Sequence, residues 1–241
     1  MTIAIMQPTW LPWVGYFDLI DQSDIFVILD DVQFSNHTWQ QRNQIKTDKG
    51  LKWLTVPVYS KGRFGQKIID VEIDGEKFPE KMLYQIKEHY SKSMYFSDYF
   101  YDFEELLLGY KGKFLCDLNV TVLKWIMSKL DINTKIVHSS SIDIGGKRGE
   151  RTVAILNNFN EKNYLSPMGS YNYLKEDIKF FKQTNINITF QNYTHPEYNQ
   201  LYQPFFASAS VIDLLFNNGV ESMNIIKSGR SKSIDFDKMY I

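Results

Sequence analysis

The sequence predicts an α/β protein on a parallel, Rossmann-like sheet with a helical insertion. Three observations carry this reading. A strand, a proline-rich loop, a short helix and a second strand follow one another within the first thirty residues. That succession is the signature of a βαβ unit. Helical periodicity then takes over from Gly75 to Leu130, and α/β alternation returns after it.

Thr2 to Met6 reads as a short buried strand. Pro8 and Pro12 bar regular structure through Trp10 and Leu11, because proline fixes φ and restricts the residue before it. Trp13 to Asp21 has the apolar surface of one or two helical turns. Asp24 to Leu29 reads as a second strand, and its continuous apolar run from Ile25 is expected for a strand covered on both faces. Trp53–Val58 and Ile68–Ile73 read as two further strands. The polar, glycine-punctuated segment 59–67 between them reads as a mobile surface loop, a candidate lid. Helices are expected over 79–90, 99–108 and 113–129, the last with Phe114, Leu118, Val122, Trp125 and Ile126 on one face. Strands follow at 134–138, 163–165 and 186–191, and helices at 149–158, 174–183 and 210–216. Asn217-Asn218-Gly219 supplies a helix stop. We read residues 1–241 as one domain: an α/β core over 1–75 and 131–219, a helical insertion over 76–130, and a C-terminal helix and frayed tail over 220–241.

Composition excludes several function classes. The 27 basic and 28 acidic side chains nearly cancel and form no long block, so nucleic acid is not expected as the main partner. Cys116 is the one cysteine, which rules out an internal disulfide and fits a reducing compartment. No secretory leader is read at the start, and no run of eighteen apolar residues could span a membrane. The expectation is a cytoplasmic protein, with homo-oligomerisation left open. Aromatic content of 15%, much of it beside Pro, Gly, Asn and Gln, fits stacking walls for sugars or bases, or equally a Tyr-rich core and surface.

In parallel α/β sheets, ligands bind beyond the carboxyl ends of the strands. The segment Gln7-Pro8-Thr9-Trp10-Leu11-Pro12-Trp13-Val14-Gly15-Tyr16 occupies that position. Gly15 permits close backbone approach, and helix-start N–H groups favour anions. The alternative is a stiffened turn capping the core with Trp10 and Trp13. Asp30-Asp31-Val32-Gln33 ends the second strand. Adjacent residues point oppositely, so one aspartate would face a pocket and the other cap a turn. Trp39 could stack on a ring, and Arg42 could grip a phosphate or carboxylate beside Asn43. Gly169-Ser170 could present backbone donors. His195 is the best general-base candidate of the four histidines, within an island that includes Tyr198 and Gln200. His89 and His138 read as structural, and Cys116 as core rather than nucleophile. Gly145-Gly146-Lys147-Arg148-Gly149 is a basic loop before a helix. No phosphate-loop, dinucleotide-binding, nucleophile-elbow or zinc-protease motif occurs, and no metal ligand set is read.

Together these islands resemble the WbqC-like protein family. The resemblance rests on Gln7-Pro8, Pro12, Gly15-Tyr16-Phe17, Asp30-Asp31-Val32-Gln33, Trp39 and Arg42-Asn43. It continues through 54–58, Tyr164-Leu165, Gly169, Tyr173-Leu174, Tyr198 and Gln200, to the run 210–219. It covers nearly the whole chain. Members often occur in gene clusters for surface polysaccharide and O-antigen of lipopolysaccharide. The resemblance implies a cytoplasmic enzyme acting on a nucleotide-linked sugar, and the leading expectation is a transferase that places an aminoacyl, such as glycyl, or acyl group from its donor on the sugar amine.

On that basis His195, Asp30 or Asp31 would serve as base. Arg42 and the loop from Gln7 to Gly15 would hold phosphate, and Trp10, Tyr16 and Trp39 would wall the sugar or base. No metal is required, and ATP with magnesium would enter if the amino acid is activated in situ. A second likeness, to pantothenate synthetase and related nucleotidylyltransferases, rests on the first strand, the Pro-x-x-Gly loop and Asp30-Asp31-Val32-Gln33-Phe34. It implies an ATP-dependent ligase or nucleotidyl transfer as an alternative. The His-x-Gly-His of those enzymes is absent here, since the matching stretch is Leu11-Pro12-Trp13-Val14-Gly15-Tyr16. A non-catalytic sugar-binding or scaffold protein is the third reading.

Overall fold

The computed structural model describes residues 1–75, 77–142 and 144–240. Strand β1 (Thr2–Met6) leads through the proline loop into helix α1 (Val14–Asp21) and strand β2 (Ile25–Ile28). A hairpin follows, β3 (Arg42–Thr47) and β4 (Gly50–Thr55). Helices α2 (Phe78–Tyr90), α3 (Phe96–Gly109) and α4 (Leu115–Lys129) come next. The sheet resumes with β5 (Lys135–His138), α5 (Arg148–Asn158), β6 (Asn163–Ser166), α6 (Tyr171–Gln183) and β7 (Asn187–Tyr193). Helices α7 (Val211–Asn218) and α8 (Ser222–Ser228) precede the last strand, β8 (Arg230–Asp235).

The main sheet runs β5-β2-β1-β6-β7-β8. Only the β7–β8 pair is antiparallel. Counting only its own strands, the order is third, second, first, fourth, fifth, sixth. This is the doubly wound Rossmann-like order, and it places the topological switch point between β1 and β6.

Alternation within the strands builds two apolar layers. Ala4, Phe26 and Ile28 join the layer that holds α1 and α7, while Ile3, Ile5, Ile25 and Val27 join the layer that holds α5 and α6. The buried faces of α2, α3 and α4, through Met82, Phe100, Phe103, Leu118 and Ile126, belong to the α1 layer. The helical block thus covers one side of the sheet.

Three segments differ from the sequence reading. The expected strand at 68–73 is a 3₁₀ turn, Ile68–Asp70. Its backbone docks on the loop after β2, with Ile68 N–H donating to Val32 O and Ile69 N–H to Asp30 O. Ile68 and Val71 are buried three residues apart, a spacing that a strand would place on opposite faces. The strand expected at 53–58 starts earlier and pairs with β3 in a separate hairpin. β3 was missed because its sequence, Arg-Asn-Gln-Ile-Lys-Thr, carries little apolar signal. The tail is also ordered into β8, which adds an antiparallel edge to β7.

Among the described residues, no helix is long and apolar enough to cross a membrane.

Candidate functional site

A cavity of about 380 Å³ opens at the carboxyl end of β1, next to the switch point. Its volume falls within the range usual for small-molecule sites. Met6 supplies the strand end, Thr9 and Trp13 the proline loop, and Tyr16 the first turn of α1. Trp39 and Asn43 close one side, and His195, Ala207 and Ser208 come from the long segment after β7. No Lys, Arg, Asp or Glu is among these lining residues. The walls are aromatic and the polar groups neutral.

Local chemistry explains how the proline loop is held. Leu11, buried, has φ of +42°, a left-handed conformation that costs a branched residue energy. Asn43 locks it there, its Nδ2 donating to Leu11 O at 2.6 Å and Trp10 O at 3.2 Å. Trp10 N–H donates to Trp39 O, Val211 N–H to Pro12 O, and Gln40 Nε2 to Gln7 Oε1. Tyr16 Oη donates to Gln7 O at 3.0 Å, and burial pushes its pKa up, so it remains a phenol. Gly15 is required because a Cβ there would meet the Trp13 indole at 2.2 Å. Trp10 is fully buried, so Trp13, 39% exposed, forms the wall that sequence reasoning gave to Trp10. Pro8 and Pro12 are also buried and shape the loop from beneath.

His195 is held in a stack. Its ring lies 6.0 Å from Trp13 at 21° and 6.0 Å from Tyr198 at 26°. Nδ1 lies 2.9 Å from the Pro196 carbonyl, which can only accept, so Nδ1 carries the proton. Nε2 therefore carries a lone pair, and among the described residues it has no hydrogen-bond partner. Burial lowers the pKa of this histidine, which keeps it neutral near pH 7.

Arg42 does not line the cavity. Its guanidinium sits 4.2 Å over the Trp53 ring, and Trp53 packs on Trp39 at 5.3 Å. Among the described residues no carboxylate pairs with Arg42. The cation is thus held one aromatic ring away from the lining Trp39.

Tyr198 and Gln200 face Asp213. Tyr198 Oη and Gln200 Nε2 donate to its Oδ2, and Tyr90 Oη donates to Oδ1. Burial still dominates and raises the Asp213 pKa. Both residues act by holding the segment that carries His195 and Ser208. Gly169 and Ser170 form the 3₁₀ turn after β6, on the same sheet edge but outside the cavity lining. Gln33 is exposed and bridges to Lys67. The basic loop before α5 is already occupied: Arg148 pairs with Glu176 and Asp177, and Gly149 N–H donates to Asp177.

Neither Asp30 nor Asp31 lines the cavity; both belong to a separate cluster at the ends of β2 and β5. Asp31 pairs with Arg151 and accepts from Ser139 Oγ. Asp30, with no exposed surface, accepts from His138 Nδ1 at 2.8 Å, Ser140 N–H at 2.9 Å and Ser140 Oγ at 2.8 Å. Burial pushes the Asp30 carboxyl up, and the hydrogen bonds from His138, Ser140 and Ser139 outweigh it, leaving the pKa below its ordinary value. Cys116 is core, as expected, with its thiol pushed up to about 12 by burial. It also meets Asp30 and His138, which the sequence did not show: ligand atoms of all three lie within 4.8 Å of one another.

Thr9, Ala207 and Ser208 carried no signal in the sequence beyond lying in loops. Their role depends on the fold bringing segments about two hundred residues apart to one strand end.

The family model described as the WbqC-like protein family matches residues 7–225. The chain belongs to the WbqC-like family. It is 34% identical over 226 residues to a Mycobacterium tuberculosis (strain ATCC 25618 / H37Rv) protein named "Uncharacterized protein Rv1507c", covering 93% of this chain and 97% of that one. No solved structure matches this WbqC-like chain. The family match spans the whole cavity lining except Met6.

Proposed function

We propose that this WbqC-like protein is a transferase that places an aminoacyl, for example glycyl, or acyl group on the amine of a nucleotide-linked amino sugar, in the assembly of surface polysaccharide. The observation that carries this is His195 in the lining of an aromatic-walled cavity, its Nδ1 2.9 Å from the Pro196 carbonyl and its Nε2 without a hydrogen-bond partner among the described residues.

The chemistry asks for a base, a sugar platform and an anion anchor. The sugar amine reacts as the free base: its nitrogen attacks the donor carbonyl while His195 Nε2 takes one N–H proton, leaving a neutral nitrogen and an oxyanion. The oxyanion collapses, the bond to the donor's leaving group breaks, and that group departs with the proton from His195. Trp13, Tyr16 and Trp39 offer rings to the sugar or base. Arg42, stacked on Trp53 and without a carboxylate partner among the described residues, would take the pyrophosphate extending beyond Trp39. Thr9 and Ser208 offer hydroxyl donors inside.

A second reading, a sugar-binding protein without catalysis, is favoured by the absence of charged side chains from the lining and by the shielding of Nε2 from solvent.

The test is thermal stability against nucleotide amino sugars, ATP and acyl-CoA, followed by product analysis. A ligand at a hundred times its Kd adds about 2.7 kcal/mol, or roughly 5–10 °C for a chain of this size. A shift with a nucleotide amino sugar, and a product lost in His195→Ala, is the expected result. Binding with unchanged sugar supports the second reading. A shift with ATP alone, or activity intact in both His195→Ala and Arg42→Ala, overturns the assignment.

A further inference from the structure

We infer that Asp30, Cys116 and His138 form a binding site for a zinc-class divalent cation, one strand over from the cavity. The three residues come from distant parts of the chain: the end of β2, the first turn of α4 and the end of β5. The register Ile28 opposite His138 brings the two strand ends together, and α4 delivers Cys116 beneath them.

A thiol, an imidazole and a carboxylate make up the mixed donor set that zinc and its analogues accept. Their ligand atoms already lie within 4.8 Å of one another. Adjustments of about an ångström bring them to bond lengths of roughly 2.0–2.3 Å around one centre. Two independent features point to a cation. Cys116 is fully buried, and no hydrogen bond engages its sulfur among the described residues. Asp30 is also fully buried, and among the described residues its one ion-pair partner is His138, with Arg151 paired to Asp31. Ser139 and Ser140 hold the Asp30 oxygens in place, and a bound ion takes the position now bridged by the His138 Nδ1 contact. A divalent ion held by one thiolate, one carboxylate and one neutral imidazole leaves no net charge.

Outer support is in place as well. Ser140 holds Asp30 through both its N–H and its Oγ, the kind of contact that orients metal ligands. The His138 side chain is 32% exposed, which provides an entry path and a side for a fourth ligand. On loading, Cys116 binds as thiolate and releases its proton.

Cobalt(II) tests this directly on the full chain, stripped with a chelator and dialysed. One equivalent should produce a near-ultraviolet thiolate-to-cobalt charge-transfer band, and zinc should displace it. Cys116→Ser should abolish the band. His138→Ala, once shown to be folded, should weaken cobalt binding severely, and Ser140→Ala should weaken it roughly tenfold. Circular dichroism of each variant verifies folding. Absence of the band, or a band that survives Cys116→Ser, overturns the proposal. So does cobalt affinity unchanged in folded His138→Ala. These readouts need no sugar substrate, so they stand apart from the transferase reading.

Discussion

A Cβ on Gly15 would lie 2.2 Å from Cη2 of Trp13. The indole can occupy its place against His195 only because residue 15 has no side chain. Gly15→Ala should therefore swing the partly exposed Trp13 outward and break the Trp13–His195 stack. Stability should change little, since alanine regains up to about 1 kcal/mol of helix propensity. Ligand affinity should fall roughly tenfold, as read by quenching of tryptophan fluorescence in a titration. Unchanged affinity would remove Trp13 from the site.

The pH dependence of His195 has a definite sign. Its pKa lies below the ordinary 6.5 in the folded chain, so the unfolded chain binds the proton more readily. Stability should fall as pH drops through 6.5 toward the lower native value, and level out beneath it. If neutral His195 is the base, kcat/KM should lose activity along an acid limb with a midpoint below 6.5. His195→Ala should lose that limb and roughly 100-fold or more in rate. An acid limb that persists in the variant would identify another base.

Asn43 donates to two consecutive carbonyls, Trp10 O and Leu11 O, and holds Leu11 at positive φ. Asn43→Ala should cost about 1–3 kcal/mol by denaturant unfolding, because two buried acceptors lose their donor. Ligand binding should weaken with it, as the proline loop relaxes. A loss in stability without any loss in binding would show that the loop is held elsewhere.

Arg230 fastens the edge strand β8 to α1. Its Nε donates to Asp18 at 2.7 Å, and Asp18 has no exposed surface. Gln191 and Gln22 also donate to that carboxylate. Arg230→Leu should cost about 3 kcal/mol, at the lower end for breaking a buried pair, because the two glutamines remain. Paired with Asp18→Asn in a double-mutant cycle, the losses should not add. Additive losses would mean that the two side chains act independently.

How much of this was legible in the sequence depends on the range of the interaction. The run Ile-Phe-Val-Ile of β2 announced a strand buried on both faces, and it is one. β3 was invisible, because its strand character comes from pairing with β4 and from burial of Ile45 and Lys46 by other elements. The tail was equally opaque: residues 230–235 carry almost no apolar pattern, and they form a strand because β7 offers an open edge.

The site divides in the same way. The position of the Gln7–Tyr16 loop after the first strand was readable as local chemistry, and Tyr16, Trp39, Asn43 and His195, singled out in the sequence, line one cavity. That Trp13 rather than Trp10 forms the wall was not, since a proline-stiffened turn can bury either indole.

The sequence by itself determined the α/β class, the order of most elements, and the proline loop at the end of the first strand, because periodicity and proline chemistry act over a few residues. Only the tertiary structure decided the strand order, and with it every contact between residues far apart in the chain. His195 meets Trp13, and Asp30 meets Cys116 and His138, because parallel strands joined by crossovers bring distant carboxyl ends to one edge. That adjacency is a property of the packed sheet, and no local pattern in the chain encodes it.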